Sequence, residues 1–321
     1  MGGLTDIPGL RVGHASDYQA LTGCTVVLCE AGAVGAVDVR GSASSTRAID
    51  AFDPHHLVER VHGVVLAGGS AFGLDAVAGV MRFLERRGIG FETGAVRVPI
   101  VGGAILYDLA IGSASVRPGP EMGEAAATAA TAGPVEEGSI GAGTGATVGK
   151  LFGLSQAMKG GLGSSALEIA GGVTVAALAV VNAFGDVLDP ATGRLLAGAR
   201  TSPASRELAD TAACLKRGLV RRSFGGAATN TTLAVVATNA SLTKLQAAKL
   251  AAMAQAGCAR AVRPVHTTFD GDLVFTLSLG EAEADLNALG AAAAEAVADA
   301  IVRGVRLARS LGGVPGLGSE S

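Results

Sequence analysis

The chain of 321 residues has no tryptophan, two tyrosines and only 3 % aromatic residues. Its core must therefore be built from aliphatic side chains and close backbone approach, which 48 glycines permit. Cys24, Cys29, Cys214 and Cys258 form no CxxC pair and have no histidine at ligand spacing, which excludes a zinc cluster and fits reduced thiols in a cytoplasm. His14, His55, His56, His62 and His266 contain no HExxH pattern, so no metal and no other cofactor is expected. A net charge of -3, with Arg and Glu interspersed, leaves no basic stripe for a phosphate backbone, and nucleic acid is not an expected partner. The opening lacks a secretory apolar region and no run is long enough to span a bilayer, so no membrane partner is expected either.

What is present is 49 % apolar residues arranged as an alternation of strands and helices. Residues 24–29 (CTVVLC), 61–67 (VHGVVLA) and 171–184 read as buried strands, and 231–238 (TTLAVVAT) is β-branched enough to be another. A helical stripe begins at Ala71 with Leu74, Val77, Met81 and Leu84 and stops at Gly88. A second helix is expected within 125–132, and a third, capped by Ser241, carries Leu245, Leu250 and Met253. Residues 281–311 read as one or two Ala-rich helices, and Asp270-Gly271 reads as a hairpin turn. The polar stretch 189–228, with a basic cluster at Arg217, Arg221 and Arg222, is expected at the surface, and the last ten residues as a loose tail.

Two motifs fail on inspection. GAGTGATVGK, ending at Lys150, has Thr144 and Leu151 where a phosphate loop needs Gly and Ser or Thr. GGSAFG places Phe72 where a nucleophile elbow needs Gly, so Ser70 reads as a helix N-cap whose backbone can line a pocket. Other polar residues stand out by their setting. Asn182 interrupts an apolar β run, Lys150 is one of five lysines and sits among glycine and apolar neighbours, and Tyr107 lies in the apolar segment AILYDLA. A buried amide or ammonium needs partners. Asn230-Thr231 stands at the head of a strand, which on its own is an ordinary loop-to-strand junction.

Together the blocks IPGLRVGHA, TGCTVVL, DVRGSASSTR, VVLAGGSAFGLDAVAGVMRFLE, VPIVGGAILYDL, MKGGLGSS, NTTLAVVATN and FDGDLVFTLS resemble, in order and almost end to end, the autoprocessing peptidases of family S58. This DmpA-like group includes D-aminopeptidase/D-esterases, β-aminopeptidases and nylon-oligomer hydrolases. The resemblance implies one domain, residues 1–321, with the four-layer α/β/β/α sandwich shared with ornithine acetyltransferases. It implies self-cleavage between Asn230 and Thr231 into chains 1–230 and 231–321, and a homo-oligomer, commonly a tetramer. Thr231 then matches the N-terminal nucleophile, Tyr107, Lys150 and Asn182 match active-site positions, and Asp270 and Asp272 match the acidic or hydroxyl pair. Lys159, in MKGGLGSS, is a second candidate for the lysine, and Ser70 and Lys159 are candidates for substrate contact. Thr with two Asp is closest to the nylon-oligomer hydrolase pattern, so the expected substrates are short peptides, amino-amides or oligoamides. An acyltransferase of the ornithine acetyltransferase type and an uncleaved binding homologue are the alternatives.

Overall fold

The computed structural model describes residues 2–219 and 230–319. Arg221 and Arg222 of the expected basic cluster, and the GGAA run at 225–228 before the junction, lie outside the described residues. Among the described residues, nine strands form one mixed sheet: β1 (Arg11–Asp17), β2 (Thr22–Val39), β3 (Thr46–Arg47), β4 (Arg60–Ala67), β5 (Val101–Ile105), β6 (Leu162–Ile169), β7 (Val173–Asn182), β8 (Thr231–Ala240) and β9 (Leu273–Ala282). Their hydrogen-bonded order is β6-β7-β8-β9-β2-β4-β5-β3, with β1 attached to β2. The helices are α1 (Ala76–Arg86), α2 (Pro120–Ala129), α3 (Thr211–Lys216), α4 (Lys244–Ala261) and α5 (Leu286–Arg306). Two strand pairs are parallel, β4 with β5 and β8 with β9. Each needs a crossover, and α1 and α4 lie within those two connections.

The strands read as continuous apolar runs because both of their faces are buried. Along β7, Val175, Ala177, Ala179 and Val181 pack with Leu250 and Ala254 of α4 and Val297 and Ile301 of α5. The alternate residues Ala176, Leu178 and Val180 join a second cluster with Val27, Val64 and Leu66 from the other half of the sheet. A third cluster places Val26, Leu28 and Val65 against Val77, Val80 and Leu84 of α1 and Ala126 and Ala127 of α2. Few aromatics are needed because the layers approach closely. A Cβ on Gly163 of β6 would stand 2.1 Å from the Ala300 carbonyl of α5.

Several local expectations are corrected. Asp270-Gly271 is not a hairpin turn: β9 runs parallel to β8, and Asp270 forms a parallel bridge with Asn230. The α4 cap is Thr243, whose hydroxyl accepts from the Gln246 N–H in a reciprocal capping box, and Ser241 lies outside it. Leu245 is 72 % exposed, whereas Leu250 is buried. Ser70 does not cap: Gly69 holds that position of a 3-10 turn (Ser70–Asp75), with no side-chain cap bond, and α1 begins only at Ala76. The helix expected within 125–132 lies earlier, at Pro120–Ala129, started by Pro120. Within the stretch expected at the surface, Arg200 is buried, its guanidinium donating to backbone carbonyls of Ser155 and Ala157. The tail is tied down in part, since Val314 is buried and the Pro315 carbonyl accepts from the Lys159 N–H at 2.8 Å.

Candidate active site

Thr231 opens β8, and the antiparallel register sets it directly opposite Asn182, the last residue of β7. Strand alternation puts Asn182 on the face of Leu178 and Val180, and Thr231 on the face of Leu233 and Val235, which all belong to the central cluster. Such directly opposed residues have Cβ atoms about 4.5–5.5 Å apart. Both side chains are buried at the end of that cluster.

The Asn182 side chain is fixed by what surrounds its oxygen. Oδ1 accepts from Lys150 Nζ at 2.8 Å, from the Thr147 N–H at 3.0 Å and from the Thr147 hydroxyl at 3.4 Å. Lys150 Nζ also donates to the Asn182 backbone carbonyl at 2.9 Å. With donors crowding Oδ1, the amide nitrogen must face the other way, where it donates to the Tyr107 carbonyl at 3.3 Å. The segment carrying Lys150 reaches this place because Gly149 adopts φ +68 against the 198–199 backbone. A Cβ there would meet the Ala199 nitrogen at 1.9 Å.

The Asn230-Thr231 junction is held from the other side by the segment leading into β9. The Asn230 N–H donates to the Phe269 carbonyl at 3.0 Å, and the Asn230 carbonyl accepts from the Gly271 N–H at 2.7 Å. The Thr231 hydroxyl donates to the same Asn230 carbonyl at 2.6 Å. Asp272 Oδ1 accepts the next backbone N–H, that of Thr232, at 2.6 Å. Asp272 Oδ2 accepts from the His266 backbone at 3.1 Å and from His266 Nδ1 at 2.9 Å. Asp270 takes the Phe184 N–H on one oxygen at 3.0 Å and the Thr267 backbone and hydroxyl on the other. Burial, and then the neighbouring Asp272 charge, raises the Asp270 carboxyl above the ordinary carboxylate range.

The remaining candidates lie further out. Lys159 is fully buried, and its Nζ donates to the Thr144 and Ala146 carbonyls at 2.7 Å each. It pairs across a short ladder with Thr147, and so supports the segment that supports Asn182. Burial lowers its amine to about 7, opposed by the charge of Asp108. Asp108, beside Tyr107, accepts from the Thr22 hydroxyl and the Gly69 N–H at 2.7 Å each. Ser70 is tied to the neighbouring strand end, its N–H donating to the Leu106 carbonyl at 3.0 Å. The structure thus gathers Thr231, Asn230, Asn182, Lys150, Asp270, Asp272 and the Tyr107 backbone at one place, with Lys159 behind it, and shows no hydrogen bond of Ser70 with them among the described residues.

Thr147, His266, Thr267 and Asp108 had no signal in the sequence reading. Thr147 acts largely through its N–H, which any residue but proline carries. His266 was hidden by the reading of its segment as hairpin.

Residues 3–317 match the sequence profile of peptidase family S58. An uncharacterized aminopeptidase of Mycobacterium tuberculosis is 40 % identical, the alignment covering 98 % of this chain and 96 % of that protein. A 6-aminohexanoate-oligomer endohydrolase of Kocuria sp. is 30 % identical over 94 % of this chain and 85 % of its own. Among solved structures, an L-aminopeptidase D-Ala-esterase/amidase of Ochrobactrum anthropi, described as a variant of the Ntn hydrolase fold, superposes with a TM-score of 0.71 at 19 % identity, over 98 % of this chain and 88 % of that one. A β-aminopeptidase of Burkholderia sp. superposes with a TM-score of 0.69 at 22 % identity, over 98 % and 90 %.

Proposed function

The chain belongs to peptidase family S58, whose members hydrolyse amide bonds, and from this premise we propose that it cuts itself after Asn230 and uses Thr231 as its nucleophile. The observation that carries the proposal is the 2.6 Å contact from the Thr231 hydroxyl to the Asn230 carbonyl, in a junction clamped by residues of both flanking strands. In self-cleavage Thr231 Oγ1 attacks the Asn230 carbonyl carbon. The C–N bond breaks as the nitrogen takes up the hydroxyl proton, leaving an ester, which water hydrolyses to a free Asn230 carboxylate and a free Thr231 amine and hydroxyl. An α-amine titrates ordinarily at about 7.7–8.0, so near neutrality a useful fraction is neutral and serves as base for its own hydroxyl.

In turnover the freed hydroxyl attacks the substrate carbonyl carbon, its proton passing by way of the Thr231 amine to the departing amine as the substrate C–N bond breaks, and water then hydrolyses the Thr231 ester to release the acid. The Asn182 amide nitrogen has a second N–H beyond the one given to Tyr107, and this donates to the developing oxyanion. Lys150 holds Asn182 in that orientation and adds positive charge beside it. Asp270 and Asp272 fix the start of β8 and orient the new amine. Lys150, bonded to Asn182, fills the place of the site lysine, with Lys159 as its support.

The three stacked core clusters support the four-layer α/β/β/α reading, within one domain cut into chains 1–230 and 231–321. The aminopeptidase and oligomer-hydrolase relatives favour short peptides, amino-amides or ω-amino-acid oligoamides as substrates, and hydrolysis over acyl transfer. A homo-oligomer in the cytoplasm completes the proposal.

Intact mass spectrometry of the wild type beside Thr231→Ala and Thr231→Ser tests it. Pieces 1–230 and 231–321 are expected from the wild type and from the serine variant, and one intact chain from the alanine variant. A single 321-residue chain in all three after long incubation, with no turnover of amino-acid p-nitroanilides, overturns the reading.

A further inference from the structure

His266 has no part in the mechanism above, yet two of its nitrogens converge on the site. Its backbone is left-handed, φ +52, a conformation uncommon for residues other than glycine but one that histidine, like asparagine and aspartate, adopts more often than most. That conformation lets the backbone N–H and Nδ1 both reach Oδ2 of Asp272, at 3.1 and 2.9 Å. A carboxylate oxygen accepts, so Nδ1 carries the proton of this contact. The other oxygen of the same carboxylate holds the Thr232 N–H at 2.6 Å. An unbroken chain of contacts therefore runs from the imidazole to the peptide bond that follows the nucleophile. The imidazole is 23 % exposed while the Asp272 side chain is 2 % exposed, so the pair reaches from near the surface to the buried junction.

Without the imidazole donor, Oδ2 keeps one described partner, the His266 backbone, and the carboxylate gains freedom to turn. The Thr232 N–H would follow it, and Thr231 with it. We propose that His266 is a positioning residue. Through Asp272 it fixes the Thr232 amide and so the aim of Thr231 Oγ1, first at the Asn230 carbonyl and then at the substrate. This rests on the reading of Thr231 as nucleophile.

The test compares His266→Asn with His266→Gly. Both residues tolerate the left-handed backbone, but only asparagine offers a short side-chain N–H in place of Nδ1. Self-cleavage is followed by intact mass over time, and kcat and KM are measured on the amino-acid p-nitroanilide that the wild type turns over fastest, with the thermal midpoint alongside. His266→Gly is expected to slow self-cleavage and lower kcat by about 10–100-fold with KM little changed, as slight misplacement of a reacting group does. His266→Asn restores most of the loss. Wild-type rates in the glycine variant, or an asparagine variant as slow as the glycine one at an unchanged thermal midpoint, overturn the proposal and leave the Thr231 reading standing. If the glycine variant does not fold, the comparison passes to His266→Asn against His266→Gln, whose amide sits one carbon further out: a faster asparagine variant upholds the proposal and equal rates overturn it. A wild type without Thr231-dependent cleavage or turnover removes the nucleophile reading first and this proposal with it.

Discussion

Asn182 can be probed with little disturbance of its neighbours. In Asn182→Asp the acceptor that Lys150 and Thr147 use is kept and the N–H donors are lost. Self-cleavage and kcat are expected to fall by about 10²–10³-fold, the usual cost of one oxyanion donor, while circular dichroism stays that of the wild type. Full activity in this variant would remove Asn182 from the chemistry. Lys159 makes a different prediction. Burial lowers its amine from 10.5 to about 7, so between those values the unfolded chain holds more protons than the folded one. The residue therefore weakens the fold below about pH 7, and its penalty lifts as pH rises. Urea-unfolding free energies of wild type minus Lys159→Met should climb from about pH 6.5 to about pH 8.5. The subtraction cancels the buried thiols Cys24, Cys29 and Cys258, whose raised values act in the opposite direction at higher pH. Parallel pH curves for the two proteins would show that the amine is not the source.

At the scale of elements, α4 hangs on its first turn. Thr243 and Gln246 exchange hydrogen bonds there, and Thr243→Ala should cost about 1 kcal/mol, read as a lower urea midpoint at an unchanged m-value. An unchanged midpoint would mean that packing against α5 alone sets this end of the helix. The same helix marks the limit of the sequence reading. Its existence was legible in the residues after 241, but its register was not, because Ser241, Thr243 and Asn239 are all polar and only the Gln246 reciprocity selects Thr243. Strands β4, β7 and β8 were legible because burial on both faces makes their runs continuous. Asn182 and Lys150 were legible because a polar group in such surroundings must be partnered. The Asp270 turn was misread since Asp-Gly is a local signal, while the actual partner of Asp270 is Asn230, far back in the chain. Thr147 and His266 could not be found, as each acts through contacts that only the folded sheet creates.

For the whole molecule, the place of β8 decides what the proposed self-cleavage would do. It lies between β7 and β9, inside the sheet, and its faces enter two separate cores. After the proposed cleavage the two pieces would still be joined by the β7–β8 and β9–β2 ladders and by the Pro315 to Lys159 contact. They should elute as one species in size-exclusion chromatography and separate only in denaturant. Elution of free 231–321 from native protein would contradict the described pairing. The pairing also has a consequence for synthesis. Thr231 leaves the ribosome before the residues that clamp its junction, because Phe269, Asp270, Gly271 and Asp272 follow it in the chain, and β9 must in turn find β2 near the beginning. At about 5–20 residues per second this is a wait of seconds during which the bond ahead of Thr231 lacks its partners from residues 269–272. The order of translation would thus act as a timer on the proposed self-cleavage, whose junction is fully clamped only once residues 269–272 have docked.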